Sequence, residues 1–252
     1  MIVRNKFLLA IEIGMGLTML AMISAPVGAT PLTFSASGTN PATGQAISAS
    51  VKFDTSGSNL MVTLTNSGAD VLAPSDVLTG VFFDITGNPA LTSVSALLNG
   101  STVLFGSAPG GIVGGEWAYG SGLVGAPGGA KQGISSAGLG LFGGATFPGN
   151  NLQGPPNGAV DGIQYGITSG LDNPATGNKA VTGGNALIQN SVIFTLSLPS
   201  GYTLDLNNIS NVGFQYGTGL NEPNLHVPEP STLLLLGAGL IGLWGFRRKF
   251  RK

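Results

Sequence analysis

Between Thr30 and His226 no segment sustains a 3.6-residue apolar period free of Gly and Pro. That property removes helical folds first, because each Gly or Pro inside a helix costs about 1 or about 3 kcal/mol relative to Ala. What remains is a series of short alternating segments. Ile47, Ala49, Val51 and Phe53 interleave with Ser48, Ser50, Lys52 and Asp54; beyond a polar turn at 55–59, Leu60, Val62 and Leu64 alternate with Met61, Thr63 and Thr65. Period two on both sides of a turn predicts a hairpin with one buried face. Further strands are predicted over 77–85, 91–98, 102–105, 191–198 and 211–216, and Asn99-Gly100, between two of them, is the strongest short hairpin signal. The expected class is all-β: a single antiparallel β-sandwich or jelly-roll-like domain with long Gly-rich loops.

Glycine supplies 42 of the 252 residues and is densest from 106 to 158. A structureless loop of that length would contradict a compact domain. The segment is therefore expected to hold a short strand near 116–119 and ordered loops packed by Trp117, Phe142 and Phe147. Asn-Pro-Ala-Thr-Gly occurs at 40–44 and again at 173–177, which reads as two convergent turns.

Charge is scarce and unevenly placed. Only 10 Lys and Arg and 11 Asp and Glu are present, about 8% where a soluble domain carries roughly 25%. Seven of the ten cations sit at the two ends: Arg4 and Lys6, then Arg247, Arg248, Lys249, Arg251 and Lys252. The first pair precedes an apolar stretch to about Ile23 and the small residues of Val27-Gly28-Ala29, the layout of a secretory signal peptide over 1–29 cut after Ala29. The secretion translocon is the implied partner, and this signal helix would flank the domain. With export, the absence of Cys excludes disulfides, a thiol enzyme, a Cys-ligated zinc site and an iron–sulfur cluster. The exported part, 30–226, has three Lys against nine acidic residues, a net charge of −6. Such a surface has no affinity for nucleic acid.

At the other end, residues 227–252 contain Val227-Pro228-Glu229-Pro230, an apolar stretch over 232–246 and a tail with five cations among its last six residues. Fifteen residues make a helix of about 22 Å against a bilayer core of about 30 Å. Snorkelling cations, local thinning and the interfacial Trp244 make it a short transmembrane helix, with Arg247, Arg248, Lys249, Arg251 and Lys252 cytoplasmic. The paired prolines keep the approach to the membrane extended, as a protease cleft requires. These three ordered elements resemble the PEP-CTERM sorting signal. The resemblance implies recognition by exosortase, a membrane enzyme of Gram-negative bacteria that make extracellular polysaccharide. Cutting near the Pro-Glu-Pro triplet and transfer from a transient inner-membrane anchor to the cell surface or matrix would follow. Segments 114–120, 133–140, 162–167 and 214–218 are similar to those of exosortase-dependent surface proteins, a family that brings no activity with it.

Motifs for chemistry are sparse. Residues 138–143 fit G-x-G-x-x-G with Asp161 some twenty residues on, but Pro148, Pro155 and Pro156 interrupt any crossover helix. His226 is the only histidine and stands at the membrane-proximal edge, unable to serve a buried triad. Glu116, beside Trp117 and Tyr119, is where a carboxylate glycoside hydrolase would be sought; a solvated loop residue is the plainer reading. Trp117, Tyr119 and Tyr165 could stack sugar rings, with extracellular polysaccharide as partner, or simply cover a glycine-rich core. Asp84, Asp161 and Asp172 have the hard oxygens Ca²⁺ takes, without a twelve-residue loop pattern. The expected function is thus that of a non-enzymatic surface or matrix protein, with no cofactor and no metal. A carbohydrate-binding module is the alternative, and a hydrolase a more distant one.

Overall fold

A computed structural model describes residues 30–153, 160 and 162–228. The expected signal helix (1–29) and transmembrane helix (232–246) lie outside them, as do Asp161, Glu229, Pro230 and the basic tail. Among the described residues there are thirteen strands and a few 3₁₀ turns, and no helix is long and apolar enough to cross a membrane.

The strands form two sheets. The first has the order β1 (Leu32–Thr39), β2 (Ala46–Ser56), β3 (Asn59–Asn66), β11 (Ser191–Ser197), β5 (Thr92–Leu98). All of its pairs are antiparallel. The second runs β13 (Asn224–His226), β12 (Ile209–Tyr216), β4 (Leu78–Ile85), β9 (Ile167–Thr168), β10 (Leu187–Gln189), β6 (Thr102–Leu104). A two-strand branch, β7 (Ala118–Ser121) and β8 (Gln132–Ser135), joins it at β4. Here the antiparallel expectation is corrected, since β9 and β10 run parallel. The inner faces share one buried cluster: Val51, Phe53, Leu60, Val62, Leu64, Phe194 and Leu196 from the first sheet meet Val81, Phe83, Ile85, Phe214 and Tyr216 from the second. Phe53 and Phe83 meet edge to face across the layers, with ring centroids 5.2 Å apart.

The hairpin read from alternation is β2–β3, with Phe53 opposite Val62 and Val51 opposite Leu64. Asn99-Gly100 is a correction. Gly100 does adopt φ +62°, but β5 and β6 do not pair with each other: β5 pairs with β11 in one sheet and β6 with β10 in the other. The turn is a corner where a strand pair passes between sheets. Its partner strand passes at Asn190, φ +92°, between β10 and β11. Ser101 ties the two crossings together: its hydroxyl donates to the Ser191 carbonyl at 2.6 Å and accepts from the Ser191 N–H at 3.0 Å.

The glycine-dense segment is packed against this frame. Trp117 and Phe147 are fully buried against Phe194, with ring centroids 5.0 and 5.3 Å from it, while Phe142 lies over Phe82 at 6.0 Å. The expected strand near 116–119 begins only at Ala118, because 114–116 form a 3₁₀ turn. Glycine is required there: a Cβ on Gly114 would lie 2.0 Å from the Pro148 carbonyl oxygen, and one on Gly115 2.1 Å from that of Asn150. Two backbone stretches touch with no side chain between them. Replacing Phe194, the common neighbour, with Ala is expected to cost about 3–5 kcal/mol in denaturant unfolding; the same change at Val124, 84% exposed, should stay within about 0.5 kcal/mol.

Candidate functional site

The described part of the sorting signal is its start, and the fold fixes where that start emerges. After β12 the chain turns through 217–223 and returns as the edge strand β13, with Gly213 opposite His226 and Gln215 opposite Asn224. Gln215, wholly buried, organises that turn: its Nε2 donates to the carbonyls of Tyr216 at 2.7 Å and Gly219 at 3.0 Å, and its Oε1 accepts from Asn224 Nδ2 at 3.2 Å. The Glu222 carboxylate accepts from the N–H groups of Thr218 and, at 2.7 Å, Gly219. On the other side β13 meets β1: a Cβ on Gly38 would fall 2.8 Å from Leu225 Cδ2. Ahead of Pro228, the Val227 N–H donates to the Val212 carbonyl at 2.9 Å. Val227 and Pro228 then line a cavity of about 240 Å³ with Leu32 and Phe34 of β1 and Val212 of β12. Both ends of the folded domain therefore leave from one corner. Pro228, the last described residue, is exposed.

Two of the three aromatics, Trp117 and Tyr165, meet, but inside. Trp117 and Tyr165 are buried to 0 and 1% exposure. The Trp117 Nε1–H donates to the Tyr165 carbonyl at 3.1 Å, and the Tyr165 hydroxyl donates to the Ser107 carbonyl at 2.7 Å. Burial, then the Glu116 charge, raises the Tyr165 hydroxyl pKa. Tyr119 is half-buried, donates to Gln132 Oε1 at 3.1 Å and is pushed up to about 12 by burial. A sugar-stacking platform on Trp117 and Tyr165 is thus corrected: neither presents a ring face to solvent, because the glycine-lined loops close over them.

Glu116 is corrected likewise. It is buried rather than solvated, and its Oε1 accepts from the Leu152 N–H and, at 3.0 Å, the Gln153 N–H. It clamps the loop that Gly114 and Gly115 admit. The proposed Ca²⁺ carboxylates have separate structural duties. Asp84 accepts from the Lys131 N–H at 2.6 Å and Asn211 Nδ2 at 3.0 Å, whereas Asp172 accepts from the Val71 N–H at 2.8 Å. Among the described residues no three His, Asp or Glu gather as a metal site. Asp76, which no motif in the sequence singles out, is buried and accepts from Asn40 Nδ2 at 2.6 Å, the Thr43 hydroxyl at 2.7 Å and the N–H groups of Leu72 and Ala73, both at 3.1 Å. Asn40 and Thr43 belong to the first Asn-Pro-Ala-Thr-Gly copy. In the second copy the Thr176 hydroxyl again donates to an aspartate, Asp70, but Asn173 does so through its backbone N–H at 2.8 Å and not through its side chain. The pentapeptide is an aspartate-binding turn, a role that its repetition signalled.

Asp70 and Asp172 influence each other's ionisation. Burial, chiefly, pushes the Asp172 carboxyl up to about 6, with the Asp70 charge adding and the Val71 N–H opposing; Asp70 has its own desolvation as the largest single influence, yet is held below its ordinary value by the sum of its hydrogen bonds with Thr176, Asn173, Asp172 and Val71. A carboxyl raised in the folded state opposes folding once it ionises, so stability falls as pH rises from 3.8 through about 6 and is flat above. Asp172→Asn should gain on the parent over that window and hold a constant advantage at higher pH, read from paired melting curves. Glu116→Ala should cost about 3 kcal/mol by stripping a buried charged acceptor from two N–H groups, and Glu116→Gln, which keeps Oε1, should cost clearly less in the same unfolding assay.

No curated protein and no solved structure matches the chain. A family model does: the PEP-CTERM protein-sorting motif, over residues 226–249, beginning at the last residue of β13. The chain carries a PEP-CTERM sorting signal, and with it the mark of an exported protein sorted by exosortase at the membrane.

Proposed function

We propose that the chain is a non-enzymatic cell-surface or matrix protein of a Gram-negative bacterium. It is exported through its signal peptide and held briefly by residues 232–246 with the basic tail inside. Exosortase then cuts it near Pro228-Glu229-Pro230 and delivers the domain outside. The observation that carries this reading is a coincidence of boundaries: the sorting motif starts at residue 226, where the last strand ends, so the cut would free a finished domain without breaking a sheet. The non-catalytic part draws support from the side chains that chemistry would need. Glu116 is committed to loop N–H groups, and His226 is exposed on an edge strand.

Mass spectrometry of the protein recovered from the cell surface tests the sorting. Peptides ending near Pro228 are expected, and none from 233–246. Detection of the apolar segment in the surface product would leave a plain membrane anchor in place of a processed signal. Replacing Pro228, Glu229 and Pro230 together with Ala should hold the uncut chain in the membrane fraction.

A further inference from the structure

The corner at which strands change sheets encloses a cleft of about 540 Å³, within the range of small-molecule sites. Its lining includes Thr65, Asn66, Ser101, Ser169, Gln189 and Asn190, and it contains neither a charged nor an aromatic side chain. Four of these groups are fixed by hydrogen bonds to backbone. Asn66 Nδ2 donates to Ile167 at 2.8 Å, the Ser101 hydroxyl to Ser191 at 2.6 Å, the Ser169 hydroxyl to Gly68 at 2.7 Å and Gln189 Nε2 to Asp172 at 3.0 Å. The Thr65 hydroxyl and the Asn190 amide, by contrast, have no protein partner among the described residues. Asn190 also holds φ +92°, a conformation a non-glycine residue keeps only where its surroundings impose it. Leu171 stands at the rim, 86% exposed.

The geometry points to a binding site for a neutral saccharide. A rigid wall of hydroxyls and amides with free donors and acceptors suits a ligand that itself carries many hydroxyls, since each can give one hydrogen bond and take others. The absence of lining charge leaves an acidic or basic ligand without a counter-ion. A peptide added as an extra strand needs an open sheet edge; β3 and β11, which supply Thr65 and lead out of Asn190, are each paired on both sides, and the edge strand at the cleft, β6, is three residues long and brings only Thr102 to the lining. Leu171 offers the apolar contact that the C–H face of a sugar ring takes. The site shares no residue with Trp117, Tyr119 and Tyr165 and does not depend on how the chain is sorted.

Calorimetric titration of the full-length protein with neutral hexasaccharides of glucose, mannose and galactose tests it, with an oligogalacturonate and a Gly/Ser peptide alongside. At least one neutral saccharide should bind, and Thr65→Val and Asn190→Gly should each weaken it about tenfold, as loss of one directed hydrogen bond does, with the melting temperature of at least the near-isosteric Thr65→Val unchanged. Failure of all three neutral saccharides, equal binding by both variants, or preference for the acidic oligomer or the peptide would each overturn the inference. Normal surface delivery of a protein that fails this test would leave the sorting reading intact.

Discussion

The fold depends on carboxylates that accept backbone N–H groups. The exported part has nine acidic residues, and Asp161 lies outside the described residues. Every one of the other eight takes at least one main-chain N–H: Asp54 from Thr55, Asp70 from Asn173, Asp76 from Leu72 and Ala73, Asp84 from Lys131, Glu116 from Leu152 and Gln153, Asp172 from Val71, Asp205 from Asn207 and Glu222 from Thr218 and Gly219. Glycine-rich loops expose many peptide groups and bring few side chains to satisfy them, and a buried N–H without an acceptor costs about as much as a lost hydrogen bond. An ionised carboxylate is the strongest acceptor available. Among the described residues these charges enter only one ion pair, Lys52 with Asp54 at 3.9 Å. The few acidic groups of the domain thus serve as anchors for turns and loops.

The same constraint explains which parts of the fold are legible in the sequence. β2, β3 and β11 each bury one face, so alternation names them and their inward residues. β8 buries all four residues and offers no alternation, while β9 and β10 are two and three residues long. Asn99-Gly100 shows a different limit. Turn chemistry specifies a bend, while the partners of the strands on either side depend on where β10 and β11, some ninety residues on, run. β1 is a plainer omission, since Leu32, Phe34 and Ala36 alternate with Thr33, Ser35 and Ser37.

Functional residues divide along a similar line. The sorting signal is read as linear chemistry, prolines, apolar segment and cations in order, and linear chemistry survives in a sequence. The aromatic trio misleads because glycines around Trp117 suggest an exposed loop, whereas their missing side chains let that loop settle onto the ring. The cleft at the strand crossing draws Thr65, Ser101, Ser169 and Asn190 from distant segments, and no local pattern joins them.

The exit corner has a mechanical meaning. A tether attached beyond Pro228 loads the domain through β13, a strand of three residues held on one side by β12 and touching β1 on the other. The next barrier is the long β4–β12 ladder. Under tension the outermost strand can peel away while both layers and their shared core stay closed. The linker to whatever anchors the protein would lengthen by roughly 3.3 Å for each residue released, a short extensible lead ahead of a stiff body.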